Sequence, residues 1–316
     1  MLVNVLILLA VVAIAGLFVW LARRALRLRN LAARVALGLL ASVPALLFVL
    51  VAGLAGYGYT KLYLPRSVPA LALDTAATPD RVARGEHLAR TTCVACHATD
   101  GQLPLSGGID LSSHSPVPVG TIVPPNLTPG GPLKAWSDEE IAQAIRNGLH
   151  KNGRTLLMPT ETLRNLSDDD LAALVAFLRS QPPVQHETPP LSPSPLLAFF
   201  FGAGLAELGT PPISQPVVAP PRAANAAYGE YIVSYQDCRT CHGAELNGSA
   251  GGLAPPAPSA RAFARAWTLE EFIQTMRTGV DPGGHAIQEP MPWQMIGQMD
   301  DVELAALYQY LRSANN

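Results

Sequence analysis

Apolar positions are spread very unevenly along the chain. Residues 2–22 form an almost unbroken apolar run, interrupted only by Asn4, and a second run of similar length covers about 35–57 and contains Pro44. At about 1.5 Å per helical residue, each is long enough to cross a hydrocarbon core of roughly 30 Å. Membrane helices tolerate an internal proline. Arg23, Arg24, Arg27, Arg29 and Arg34 lie between the runs. The pattern predicts a transmembrane helical hairpin within residues 1–63, with helices at about 2–22 and 35–57. A cleaved signal peptide would carry its basic residues ahead of a shorter apolar core, whereas here the arginines follow it. Basic loops are retained in the cytoplasm, so everything after about Tyr63 is expected on the other side. A third apolar stretch, Pro195 to Leu205 with Phe199, Phe200 and Phe201, is too short to span. It is expected to pack on a soluble domain, with the membrane interface or a partner as competing sites.

Beyond the hairpin the period becomes helical. Leu171, Leu174, Val175 and Leu178 recur at helical spacing, as do Leu304, Leu307, Tyr308 and Leu311. Ser137 with Glu140, and Thr268 with Glu271, read as capping-box starts. No run alternates like a strand, so the expected class is all-α. The two halves also repeat. Residues 158–180 and 291–313 align without a gap and are identical at ten positions, from Met-Pro to Leu-Arg-Ser. Upstream, the stretch from Trp136 matches that from Trp267, and Gly85-Glu86 matches Gly229-Glu230. One domain is therefore present twice. The expected division is a linker at 64–79, a first domain at 80–183, a proline-rich linker at 184–222 that sets the separation, and a second domain at 223–316.

A net charge of -2 argues against a nucleic-acid binder, which needs a basic stripe to neutralise phosphates. The four cysteines decide the chemistry. Cys93-Val-Ala-Cys96-His97 and Cys238-Arg-Thr-Cys241-His242 are both Cys-x-x-Cys-His, the attachment sequence of a c-type haem. Two thiols add to two vinyl groups of one porphyrin, and the adjacent histidine is held beneath the iron. A thioredoxin-like pair would need a strand–helix context, and a zinc site would need further ligands nearby. Two covalently bound haems c use all four thiols.

His97 and His242 leave one axial position on each iron. Met158 and Met291 stand at equivalent places, each nine residues before an acidic helix start. A lone methionine is usually core filling, but their coincidence as Met-Pro in both repeats favours axial ligation, which raises the reduction potential. Met276, Met295, Met299, His114, His150 and His285 are the alternatives; a packing role suits Met276 better. Arg154 and His285 correspond in the repeat, as contacts for a haem propionate or as solvated loop residues. Asp168, Asp169 and Asp170 fit the positive end of a helix dipole, with partner docking as the competing reading.

Each repeat resembles the class I cytochrome c domain, with Cys-x-x-Cys-His near the start, a distal methionine in a loop and a closing amphipathic helix. The first, with Val123-Pro124-Pro125-Asn126-Leu127-Thr128-Pro129 and Leu157-Met158-Pro159, looks like the domains in cytochrome c subunits of bacterial membrane-associated dehydrogenases. Those subunits typically carry three haems and a different anchor. The dihaem subunit of haem–copper oxidases shares the architecture. The hairpin and its arginine loop, taken with the resemblance, make the chain a multi-pass protein of the bacterial cytoplasmic membrane with periplasmic haem domains. The resemblance implies an electron relay and not an enzyme. Expected partners are the lipid bilayer and a membrane dehydrogenase, a quinol-oxidising complex, a terminal oxidase or a soluble cytochrome. A dihaem peroxidase-like enzyme, with one open axial site, is the competing function.

Overall fold

The computed structural model of the protein describes residues 2–251 and 255–313. The side chains of Leu2 and His114 lie outside that description, so the ligand reading of His114 falls outside the described residues. Helices α1 (Leu2–Ala25) and α2 (Leu31–Tyr63) pack as a hairpin on a five-residue turn at 26–30. Small residues are buried where they pack, among them Ala15, Ala41 and Ala45, which lets the two backbones approach closely. Their large apolar side chains face outward; Leu40 is 71% and Leu46 69% exposed. Such surface would be costly in water and fits a membrane anchor.

α2 is longer at both ends than its apolar run. Its last turn is plugged into the first repeat, where Thr155 donates from N to the Leu62 carbonyl (3.1 Å) and from Oγ1 to the Lys61 carbonyl (3.0 Å). Those contacts hold the helix beyond the apolar segment that predicted it.

The first repeat contains α3 (Pro79–Thr92), α4 (Val94–His97), α5 (Asp138–Asn147), α6 (Thr160–Leu163) and α7 (Asp168–Ser180). Helix α8 (Pro195–Ala203) follows, and a two-residue strand β1 (Gly120–Thr121) pairs antiparallel with β2 (Ser192–Pro193). The second repeat contains α9 (Ala226–Tyr235), α10 (Cys238–His242), α11 (Ala260–Ala266), α12 (Leu269–Thr278), α13 (Trp293–Ile296) and α14 (Asp301–Arg312). Both expected capping boxes form: Ser137 and Glu140 start α5, and Thr268 and Glu271 start α12. In each repeat the first helix crosses the last at a glycine. A Cβ on Gly85 would lie 1.9 Å from the Ala173 carbonyl oxygen, and one on Gly229 would lie 2.0 Å from that of Ala306.

Helix α8 corrects one expectation. Its main packing is against α2 and not a soluble domain. A Cβ on Gly58 would meet the Ala198 carbonyl oxygen at 1.7 Å, and one on Gly202 would meet that of Leu54 at 1.8 Å. These two notches let the backbones touch. Asn4 Nδ2 and Tyr59 Oη donate to the Pro193 carbonyl (2.9 and 3.0 Å), and Lys61 Nζ donates to that of Phe201 (3.0 Å).

The proline-rich segment is no free tether. Asn126 Nδ2 donates to the carbonyls of Val184 (2.8 Å) and His186 (3.1 Å). Ile213 N donates to Asn147 Oδ1 (2.9 Å), and Asp168 N to the Val217 carbonyl (2.8 Å). What fixes the two repeats against each other is a buried polar seam. Arg84 donates in bidentate fashion to Asp170 (2.8 and 2.9 Å) and through Nη1 to Glu303 (2.8 Å). Tyr231 Oη donates to Asp170 (2.7 Å), and His87 Nε2 lies 2.5 Å from Glu303. By the glycine register His87 corresponds to Tyr231, and Asp170 corresponds to Glu303. Each last helix thus receives a bond from the other repeat's first helix, an approximate two-fold relation.

Candidate haem sites

The local fold of each Cys-x-x-Cys-His follows from the helix before it. α3 ends with Cys93 as its C-cap, and Cys96 and His97 fall in the short helix α4. Cys238, Cys241 and His242 form the corresponding α10. No disulfide links the four cysteines. Burial, followed by the neighbouring Cys96, pushes the Cys93 thiol up to about 12; burial and then Asp237 push Cys238 to about 12.

Each histidine is oriented by a bond the sequence did not reveal. His97 Nδ1 donates to the Pro125 carbonyl (2.9 Å), and His242 Nδ1 donates to that of Pro258 (2.8 Å). Because a carbonyl only accepts, Nδ1 carries the proton in both rings. Nε2 is left as the basic atom, the arrangement that second-shell partners impose on metal-bound imidazoles. The two turns are built alike: Gly107 N donates to the His97 carbonyl and Gly248 N to that of His242, each at 2.9 Å. Burial lowers the His97 pKa, which the Pro125 bond partly opposes. The donor sets fit two c-type haems: paired thiols, a histidine with free Nε2, and an apolar surround.

The methionine loops are also matched. A tight hairpin precedes each, bridged at Leu149–Thr155 and Val280–Ala286. Leu156 N donates to the Gly148 carbonyl and Ile287 N to that of Gly279, both at 2.7 Å. Met158 and Met291 are half-buried against the core. An arginine ties each loop down. Arg146, almost fully buried, donates to the carbonyls of Arg164 (2.8 Å) and Leu166 (2.7 Å) and to Asp168 (2.6 Å). Its counterpart Arg277 donates to the Gly297 carbonyl and to Asp301 (3.0 Å). This role was signalled by the arginine shared between the repeats, although sequence alone did not give its partner. Met158 also lines a cavity of about 290 Å³ with Ile122, Leu156, Leu157, Leu208 and Gly209. Ile122 lies three residues before Pro125, so this cavity borders the loop that holds His97.

The other candidates fall into place. Met276 and Met299 are buried in the second repeat, and Met295 is half-buried against the same core. His150 meets the Trp136 ring edge-on at 4.7 Å. His285 is 81% exposed and lies 3.2 Å from Asp281. Of the three acidic residues, Asp168 and Asp170 are committed to Arg146 and to the Arg84 seam, and Asp169 alone is exposed.

Residues 80–178 match the family model described as cytochrome C oxidase, cbb3-type, subunit III, and residues 226–315 match that of cytochrome c. A nicotinate dehydrogenase subunit of Pseudomonas putida is 32% identical over 222 residues, covering 62% of this chain and 18% of that protein. The alcohol dehydrogenase (quinone) cytochrome c subunit of Gluconobacter oxydans is 32% identical over 173 residues, covering 51% of this chain and 34% of that one. Cytochrome c-554(548) of Halomonas halodenitrificans is 35% identical over 108 residues, 34% of this chain and 96% of that protein. The chain belongs to the cytochrome c family. This cytochrome has two cytochrome c domains and two covalently bound c-type haems, at Cys93/Cys96 and Cys238/Cys241. It is similar to the cytochrome c subunits of dehydrogenases, and its two apolar helices fit membrane anchoring. It spans only 18% and 34% of the two larger relatives.

Proposed function

We propose that this chain is the anchored dihaem subunit of an extracytoplasmic oxidoreductase assembly, relaying electrons from a catalytic dehydrogenase partner towards the respiratory chain. His97 with Met158, and His242 with Met291, are the axial pairs. The domain limits are those read from the repeat: the hairpin to residue 63, then cytochrome domains at 80–183 and 223–316. The observation that carries the reading is the matched architecture of the two sites. In both, a prolyl carbonyl fixes the histidine with Nε2 free, and an arginine-tied loop presents a methionine at the equivalent position.

A haem with both axial positions filled supplies a one-electron ferric/ferrous couple without ligand exchange. The protein's part is to hold those ligands still. The seam of Arg84, Asp170 and Glu303 keeps the two domains in one relation, as a relay between two centres requires. The orientation rests on the five arginines at and around the α1–α2 turn, which favour a cytoplasmic turn and a periplasmic C-terminal part.

A second reading, the cytochrome subunit of a haem–copper oxidase, is favoured by the family model that residues 80–178 match. The dehydrogenase reading draws on relatives named for nicotinate and alcohol dehydrogenases. Isolation of the intact chain in mild detergent separates them by the partner retained, a dehydrogenase or an oxidase. Met158→Ala and Met291→Ala test the ligands. Each variant should keep two haems per chain and lower the potential of one. Unchanged spectra and potentials in both variants contradict the assignments.

A further inference from the structure

We infer that Arg66, Arg154 and Thr210 form a carboxylate-binding site for a propionate of the haem attached at Cys93 and Cys96. The inference rests on the proposed haem relay and adds the residues that meet the cofactor's acidic edge. Arg66 Nε, Arg154 Nε and Thr210 Oγ1 are buried and make no hydrogen bond among the described residues. Neither arginine forms an ion pair with a described carboxylate. A buried donor of a cationic side chain left without a partner is costly, and two such Nε atoms with a buried hydroxyl are met by an anionic acceptor.

The three side chains come from distant segments that meet. Arg66 N donates to the Gly153 carbonyl (2.9 Å), next to Arg154, and Arg66 Nη1 to the Thr210 carbonyl (3.4 Å). Gly209 joins this group to the cavity at Met158. It lines that cavity, and a Cβ on it would lie 2.8 Å from Arg66 Nη2 and 3.2 Å from Thr155 Cγ2. Arg154 itself stands two residues before Leu156, where the cavity wall begins. Glu161 and Glu207 also line the cavity, but both are exposed and form no described ion pair. A planar carboxylate entering from the cavity matches the fork geometry of arginine and the hydroxyl of Thr210.

The second repeat has no such group among the described residues. His285 holds the position of Arg154 in the matching hairpin, but it is exposed and paired with Asp281. The site is therefore specific to the first haem. It joins the exit of α2, the hairpin at 149–155 and the segment at 184–222 around one cofactor edge.

The test is potentiometric titration of the intact, detergent-solubilised chain with haem stoichiometry measured on the same samples. A guanidinium beside the propionate favours the ferrous state. Arg154→Gln should therefore shift the ferric/ferrous ratio of one haem about tenfold towards ferric at fixed potential, about 59 mV for one electron. The wave that moves should be the one displaced by Met158→Ala, and Arg154→Lys, which keeps the charge, should move it less. Parental potentials in Arg154→Gln, equal shifts of both waves, or equal effects of Gln and Lys overturn the inference. So does a parent potential that tracks added inorganic phosphate, which identifies a site for a soluble anion. Should Arg154→Gln fail to attach the first haem, Thr210→Val decides: the same wave should fall, and a parental value refutes the proposal. A parent without two haems would instead refute the haem reading itself.

Discussion

Glu303 lies at the centre of the seam between the two cytochrome domains, and its replacement by glutamine has a calculable consequence. Its side chain is 2% exposed; Oε1 accepts from Arg84 Nη1 at 2.8 Å, and Oε2 faces His87 Nε2 at 2.5 Å. Burial alone would raise its pKa, but the His87 bond and charge, followed by those of Arg84, outweigh burial and bring it from 4.5 to about 2. At about 1.36 kcal/mol per pH unit this corresponds to about 3 kcal/mol of stability at neutral pH. Breaking a buried ion pair costs a similar amount, about 3–5 kcal/mol. The carboxylate is depressed in the folded state, so its contribution is complete above 4.5 and is lost as the pH falls towards 2. Glu303→Gln keeps the shape, removes the charge and leaves Arg84 bonded to Asp170. Urea unfolding of the solubilised protein at pH 7, 5 and 3, followed by haem absorbance, should show a loss of about 3 kcal/mol at pH 7. That deficit should shrink as the pH drops through the window. Coincident midpoints at pH 7, or a deficit that persists undiminished at pH 3, would refute the reasoning.

Two glycines at helix crossings and one at the α2–α8 contact give further predictions. Gly85→Ala places a methyl group 1.9 Å from the Ala173 carbonyl oxygen, inside the α3–α7 crossing. Overpacking of this kind costs about 1–3 kcal/mol or more, so the melting temperature of the first domain should fall while the second domain keeps its haem. Gly229→Ala should do the reverse, since its methyl group would meet the Ala306 carbonyl oxygen at 2.0 Å. Gly58→Val should push α8 off α2, where a Cβ would lie 1.7 Å from the Ala198 carbonyl oxygen. Proteolysis within 195–205 should then accelerate in detergent, with haem content unchanged; a parental digestion rate would contradict the close packing.

Much of this molecule was readable from local signals. Cys-x-x-Cys-His is a covalent requirement on adjacent residues, so it survives without a structure. The capping boxes at Ser137 and Thr268 are likewise closed within four residues. What stayed hidden depends on backbone atoms or on distant pairing. The Pro125 and Pro258 carbonyls orient the histidines from 28 and 16 residues away, and any residue offers a carbonyl. The domain seam was masked because equivalent positions carry different chemistry, His87 against Tyr231 and Asp170 against Glu303. The acidic run at 168–170 read as a helix start and not as two ion-pair partners, one of them buried. Helix α8 looked like soluble-domain packing because an apolar run does not say which glycines will notch against it.

The most direct test of the central claim is a carbon monoxide difference spectrum of the dithionite-reduced, intact protein, with haem counted on the same sample. Carbon monoxide binds ferrous haem where the sixth position is empty or weakly held. Closed coordination by Met158 and Met291 predicts two haems per chain and no carbon monoxide spectrum. Binding at either haem would contradict a methionine assignment and turn that site from a relay into one open to substrate.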